Sequence, residues 1–170
     1  LDILESLEKL EVVSKKINSN NLSMTNPSLQ ISEWLDNFPI IYFPFGLQSA
    51  AVRFKNAIQE NAKTHAMVED IIESSHNGIV GWNRESNFQP ILLQGKDDVE
   101  TTKERWIILK EFFKSKNIDY KEIISEEGNI LTKIICLIYV LDYSSIFLAM
   151  KLKVDPSPVL AIDFIKKRLN

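Results

Sequence analysis

Apolar residues recur at Leu4, Leu7, Leu10 and Val13/Ile17 with charges between them. That is the spacing of one helix face and predicts a helix over Leu1–Ile17. The polar, breaker-rich stretch from Asn18 to Pro27 reads as a linker. A second helix is predicted over Ser28–Asp36. The pattern then changes. Pro39-Ile-Ile-Tyr-Phe-Pro44 is a short, continuous apolar run bounded by prolines, which is the mark of a buried strand. Further strands are predicted at Ala66–Ile72, Gln89–Gln94 and Tyr120–Ile124. Helices are predicted at Gln48–Ala62, Asp97–Lys116, Asn129–Met150 and Pro158–Leu169. Trp106, Leu109, Phe112 and Phe113 stand at core spacing in the Asp97–Lys116 helix, and the last helix ends in basic residues, as the helix dipole prefers.

Strands alternating with helices imply an α/β fold, with a parallel sheet of four to five strands covered by helices on both faces. Ligands of such sheets bind at the carboxyl ends of the strands. The loops after Tyr42, Ile72 and Leu93 are therefore the expected rim. Glu60 and His76 are both expected to reach that rim or its border.

Composition narrows the function. A length of 170 residues suits one domain, and 45% hydrophobic with 25% charged residues is an ordinary globular balance that excludes disorder. A net charge of −3 with no basic stripe argues against nucleic acid as a partner. The run Ile134–Leu141 is too short, and too soon followed by Asp142, Ser144 and Ser145, to predict a membrane span; a buried core helix is expected instead. No signal-peptide pattern opens the chain, which begins without Met. The single cysteine, Cys136, is expected to pack as a small apolar residue, and a reducing cytoplasm suits it.

Chemical candidates are few. With one Cys and two His, no zinc-type site is expected, and no Gly-x-Gly-x-x-Gly phosphate loop occurs among the five glycines. Trp34, Trp82 and Trp106 read as core or interface anchors. Glu60 lies at the end of an amphipathic helix, and His76 begins a later element. A carboxylate and an imidazole are standard equipment for proton transfer on a small substrate. On spacing alone, however, Glu60 also reads as a solvated helix-end carboxylate, His76 as a loop histidine, and Lys166 as a solvated helix-end lysine. His65 has no matching pattern and reads as structural.

The words around these residues decide between the readings. Arg53-Phe-Lys-Asn-x-x-x-Glu60-Asn-Ala-Lys63, followed by Glu73-x-x-His76-Asn-x-Ile-Val-Gly-Trp82, resembles the C-terminal half of the bifunctional phosphoglucose/phosphomannose isomerases, of the sugar-isomerase (SIS) domain group. Asn26-Pro, Pro39-Ile-Ile-Tyr, Leu141-Asp-Tyr-Ser-Ser and the Asp155–Lys166 tail follow in the family's order. The resemblance implies a SIS-domain fold, no cofactor and no metal, with a sugar phosphate as the partner. It implies Glu60 as the base that moves a proton between two carbons of the open-chain sugar. His76 and Lys166 would assist ring opening, with Arg53, Asn61 and Asn77 as substrate-binding residues.

Two departures stand out: Gly78, where the family carries a carboxylate after His-Asn, and a longer spacing from His76 to the tail. Residues 1–25 read as an inter-domain connector and 26–170 as a C-terminal SIS domain. No Ser/Thr-rich phosphate loop is found, so the resemblance implies that an N-terminal SIS domain of the same protein supplies it, and that this domain alone is inactive. It also implies a homodimer with His76 crossing to its partner's Glu60 and Lys166. Ile79, Val80 and Trp82 would form an apolar contact patch there, or else pack on their own domain. The alternative function is a non-catalytic module that binds sugar phosphates or mediates dimerisation.

Overall fold

The computed structural model describes residues 2–169; Leu1 and Asn170 lie outside it. Four strands, β1 (Phe38–Phe43), β2 (Met67–Asp70), β3 (Phe88–Gln94) and β4 (Lys121–Ile124), form one parallel sheet in the order β2-β1-β3-β4. The expected α/β architecture is present, with four strands.

Alternation along the strands sends side chains to two cores. Ile41, Phe43, Ile91, Leu93 and Ile123 face α2 (Pro27–Trp34), α3 (Gln48–Asn61) and α6 (Ile130–Lys151). Ile40, Tyr42 and Leu92 face the opposite way, against Trp106, Leu109 and Phe113 of α5 (Glu100–Ser115). The chain leaves β1 through α3 on one face toward β2, and leaves β3 through α5 on the other face toward β4. The switch point of the sheet thus lies between β1 and β3.

Local chemistry moves several element boundaries. Met67–Asp70 is shorter than the expected strand, because the Asp70 carboxylate accepts hydrogen bonds from the backbone N–H groups of Ile72 and Glu73. That cap starts a short helix, α4 (Ile71–Ser74), and a 3-10 turn (Gly78–Asn83) follows. Helix α5 starts at Glu100 rather than Asp97, since the Asp98 carboxylate bonds Gly95 N and Trp106 Nε1, each at 3.0 Å, and holds a loop there. The last helix, α7 (Leu160–Lys166), is likewise shorter than expected.

Helix α6 is long and apolar enough to cross a membrane by composition alone, yet here it packs against α1 (Asp2–Ile17), α2 and α3 as a central core helix. Helix α1 is seated on it through Val13 and Ile17, which surround the buried Cys136, and through a 2.9 Å Ser6–Thr132 hydroxyl contact. Leu4 and Leu7 of the sequence stripe point outward instead.

Candidate active site

Helix α3 descends from the carboxyl end of β1, a length of ~21 Å for its 14 residues. It ends where β2 is about to start, so Glu60 in its last turn lies at the amino end of the sheet. The nearby His65 ring stands 6.2 Å from that of Phe38, the first residue of β1, and marks the same end. His76 follows α4 at the carboxyl end of edge strand β2. One chain therefore holds the two residues at opposite ends of the sheet, and the expectation that both reach the carboxyl rim is corrected for Glu60. The reason is topological: a helix returning to start a parallel neighbour must end at the opposite edge.

Glu60 is exposed and opens onto a cleft of about 340 Å³ shared with Gln59, Lys63 and the segment Pro158–Ile162. Lys63 ties the two sides together. Its backbone turns left-handed, with φ of 55°, and its Nζ donates to the carbonyls of Glu60 at 2.6 Å and Pro156 at 3.1 Å. This brings the start of α7 beside Glu60. Lys166 ends that helix, exposed, and among the described residues no hydrogen bond or ion pair joins it to Glu60.

The two blocks Arg53–Lys63 and Leu141–Ser145 meet in space. Arg53 donates to Asp142 through Nε and NH2, the latter at 2.8 Å, and Asn61 Nδ2 donates to Ser145 Oγ at 2.8 Å. Asp142 keeps the guanidinium still more firmly protonated. The Arg53–Lys63 block is thereby locked onto the Leu141–Ser145 block of α6.

In the His76 turn, Asn77 Nδ2 donates to Glu73 Oε1 at 2.9 Å, and both Asn77 and His76 are exposed. Trp82 is not an interface anchor. It is 8% exposed, donates its Nε1–H to Tyr42 OH at 2.7 Å, and meets Phe113 edge-on. Of the expected patch only Val80 is prominently exposed. Burial pushes the pKa of the Tyr42 hydroxyl up, and Trp82 as donor partly offsets this.

Sequence reasoning missed the setting of Glu69. It lies on β2 in register with Tyr42, under the His76 turn, where desolvation raises its carboxyl pKa. A charged residue inside a strand was the available signal. Among the described residues no group of three or more His, Cys, Asp or Glu is placed to hold a metal ion.

Residues 24–169 match the family model described as the bacterial phosphoglucose isomerase C-terminal SIS domain. The chain belongs to that family. A bifunctional phosphoglucose/phosphomannose isomerase of Caldicellulosiruptor bescii is 32% identical over 146 residues, covering 83% of this chain and 43% of the relative. One from Aquifex aeolicus is 26% identical, covering 96% of this chain and 52% of its own length. The chain thus spans about half the length of the curated relatives it matches. Among solved structures, a glucose-6-phosphate isomerase like protein of Thermus thermophilus superposes with a TM-score of 0.71 at 18% identity, over 91% of this chain and 52% of that one. The sugar isomerase domain of an RpiR transcription factor from Sphaerobacter thermophilus superposes at 0.59 with 9% identity, over 98% and 96%. Both share the fold.

Proposed function

We propose that this SIS domain is the C-terminal half of an aldose–ketose isomerase that converts glucose 6-phosphate and mannose 6-phosphate to fructose 6-phosphate. Residues 1–25 act as the connector to an N-terminal SIS domain, which anchors the phosphate, and this domain alone is inactive. The protein works in the cytoplasm as a homodimer.

The hydrogen on the carbon next to an open-chain sugar's carbonyl is acidified by that carbonyl. A carboxylate that removes it from one face, as the carbonyl oxygen takes up a proton, produces an enediol; returning the carbon proton to the neighbouring carbon, as the other hydroxyl gives up its proton, completes the exchange of aldose for ketose. One group doing both jobs suffices, and Glu60 is assigned that role. His76 and Lys166 exchange protons with the ring and hydroxyl oxygens during ring opening. Arg53, through the guanidinium hydrogens that Asp142 leaves free, contacts substrate together with Asn61 and Asn77.

The observation carrying this reading is the state of Glu60 among its neighbours. Arg53, Asn61 and Lys63 are each bonded within the fold, whereas the Glu60 carboxylate stands exposed on the cleft beside the segment that carries Lys166. The test is Glu60→Gln in the two-domain protein. Isomerisation is expected to fall ~10²–10⁴-fold with the fold intact, the usual worth of a positioned general base. A rate near wild type removes Glu60 from the mechanism.

A further inference from the structure

The sheet face that packs on α5 carries Gln94 and Glu122 toward its β4 edge, with Glu122 bonded to both Gln94 and Lys110, and Glu69 at its β2 edge. Register pairing of Tyr42 with Glu69 sends both side chains to that face. The Glu69 carboxyl lies directly under the turn between α4 and the 3-10 segment. A Cβ placed on Gly78 would stand 3.0 Å from its carboxyl carbon and closer still to Oε2. That Oε2 is shielded from solvent and, among the described residues, has no hydrogen-bond partner. Beside it the Tyr42 hydroxyl accepts the Trp82 N–H and makes no second hydrogen bond among the described residues.

An ionised carboxylate with no partner and little water is costly, whereas a protonated one is neutral and has a hydrogen to give. No cation offsets the charge nearby. The ionisable groups on the surrounding elements are Tyr42 on β1, Asp70 at the cap, Glu73 on α4 and His76 in the turn; the 3-10 segment has none, and of the charged residues of α5 only Arg105 and Lys110 are partly buried, Lys110 pairing with Glu122. Asp70 and Glu73 are occupied by Ile72 N and Asn77 Nδ2, and Arg105 bonds the Thr101 carbonyl. Burial raises the Tyr42 hydroxyl pKa, and the nearby Glu69 charge adds to the rise.

We infer that Glu69 is a positioning residue for the His76 turn: its carboxyl is the seat on which Gly78 rests, and one proton gained or lost there changes how closely residues 76–83 lie on the sheet. This rests on the reading that His76 serves the substrate. The consequence is a turn that sits tightly when Glu69 is protonated and lifts when it ionises, displacing His76 with it. A side chain at position 78 would require the Glu69 carboxyl to move aside.

The experiment is an NMR titration of this 170-residue chain, following the Glu69 carboxyl carbon, the Trp82 indole N–H and the amides of residues 76–78. All three are expected to follow one single-proton curve with a midpoint above the ordinary glutamate range. In Glu69→Gln the Trp82 and turn signals should stay flat over that range. A Glu69 carbon that titrates while the turn stays still overturns the inference, as does a Trp82 titration that survives in Glu69→Gln. If that variant does not fold, the wild-type curves decide alone. As an independent arm, Gly78→Ala should lower the thermal midpoint in the wild-type background and leave it nearly unchanged in Glu69→Ala; equal losses in both backgrounds also overturn it. None of these readouts uses isomerase activity. An active His76→Gln enzyme would sink the functional reading while leaving the coupling of Glu69 to the turn in place.

Discussion

Glu60 and His76 stand at opposite ends of β2, one below its first residue and the other beyond its last. Four residues of strand alone span ~13 Å, whereas proton transfer needs partners within about 3 Å of the same substrate atoms. If both act on one sugar, they come from different chains. Mixing the inactive variants Glu60→Gln and His76→Gln of the two-domain protein, unfolded and refolded together, should then restore activity. Random assortment makes half the dimers mixed, each with one intact site, so the recovery is up to about a quarter of wild type. No recovery in assays of verified mixed dimers refutes the shared site.

Tyr42→Phe tests the buried pair above the sheet. The ring volume is kept, but the Trp82 N–H loses its acceptor at 2.7 Å. A buried donor left unsatisfied costs ~1–3 kcal/mol, so chemical denaturation should show a loss in that range with an unchanged dependence on denaturant. Trp82→Phe removes both the donor and part of the ring, and should cost at least as much through the cavity beside Phe113.

The Arg53–Asp142 pair is partly exposed, its side chains 55% and 30% accessible, so its stabilising effect is small. A double-mutant cycle with Arg53→Ala and Asp142→Ala should give a coupling of about 0.2–1 kcal/mol. If Arg53 also binds substrate, Arg53→Ala in the two-domain enzyme should raise KM well beyond what Asp142→Ala does. Equal KM values in the two variants assign Arg53 to structure alone.

Glu69 gives the fold a pH dependence of definite sign. Its folded-state pKa is raised by burial, so the folded chain holds a proton that the unfolded chain has already lost. The stabilising effect is complete below the unfolded glutamate value and fades as pH rises through the folded one. Above that window the ionised carboxylate is at its most unfavourable. Glu69→Gln keeps the shape without the charge and should raise stability at neutral pH by on the order of 1 kcal/mol, a figure held low because the residue is only partly buried. Thermal unfolding from acid to neutral pH checks it: the difference between variant and wild type should grow with pH.

Much of the fold was legible in the sequence because each signal was local. The Pro39–Pro44 run and the apolar segment from Gln89 are continuous because both faces of those strands are covered, and continuity survives in one dimension. Helix α2 is expected from Ser28; the Asn26 side chain, accepting from the backbone of Ser28 and Leu29, opens it one residue earlier at Pro27. The words around Glu60, His76 and Lys166 singled them out as candidates, and the apolar neighbours of Cys136 marked its burial.

Tertiary structure decided the rest, because strand order and register join residues that no local pattern links. The order β2-β1-β3-β4 sends the end of α3 to the amino edge of the sheet and the His76 turn to the carboxyl edge. Pairing across β1 and β2 sets Glu69 beside Tyr42 and beneath Gly78, and closure of the second core draws in Trp82, which a rim position would have left for a partner. Periodicity along a chain states which residues are buried; only the packed sheet states against what.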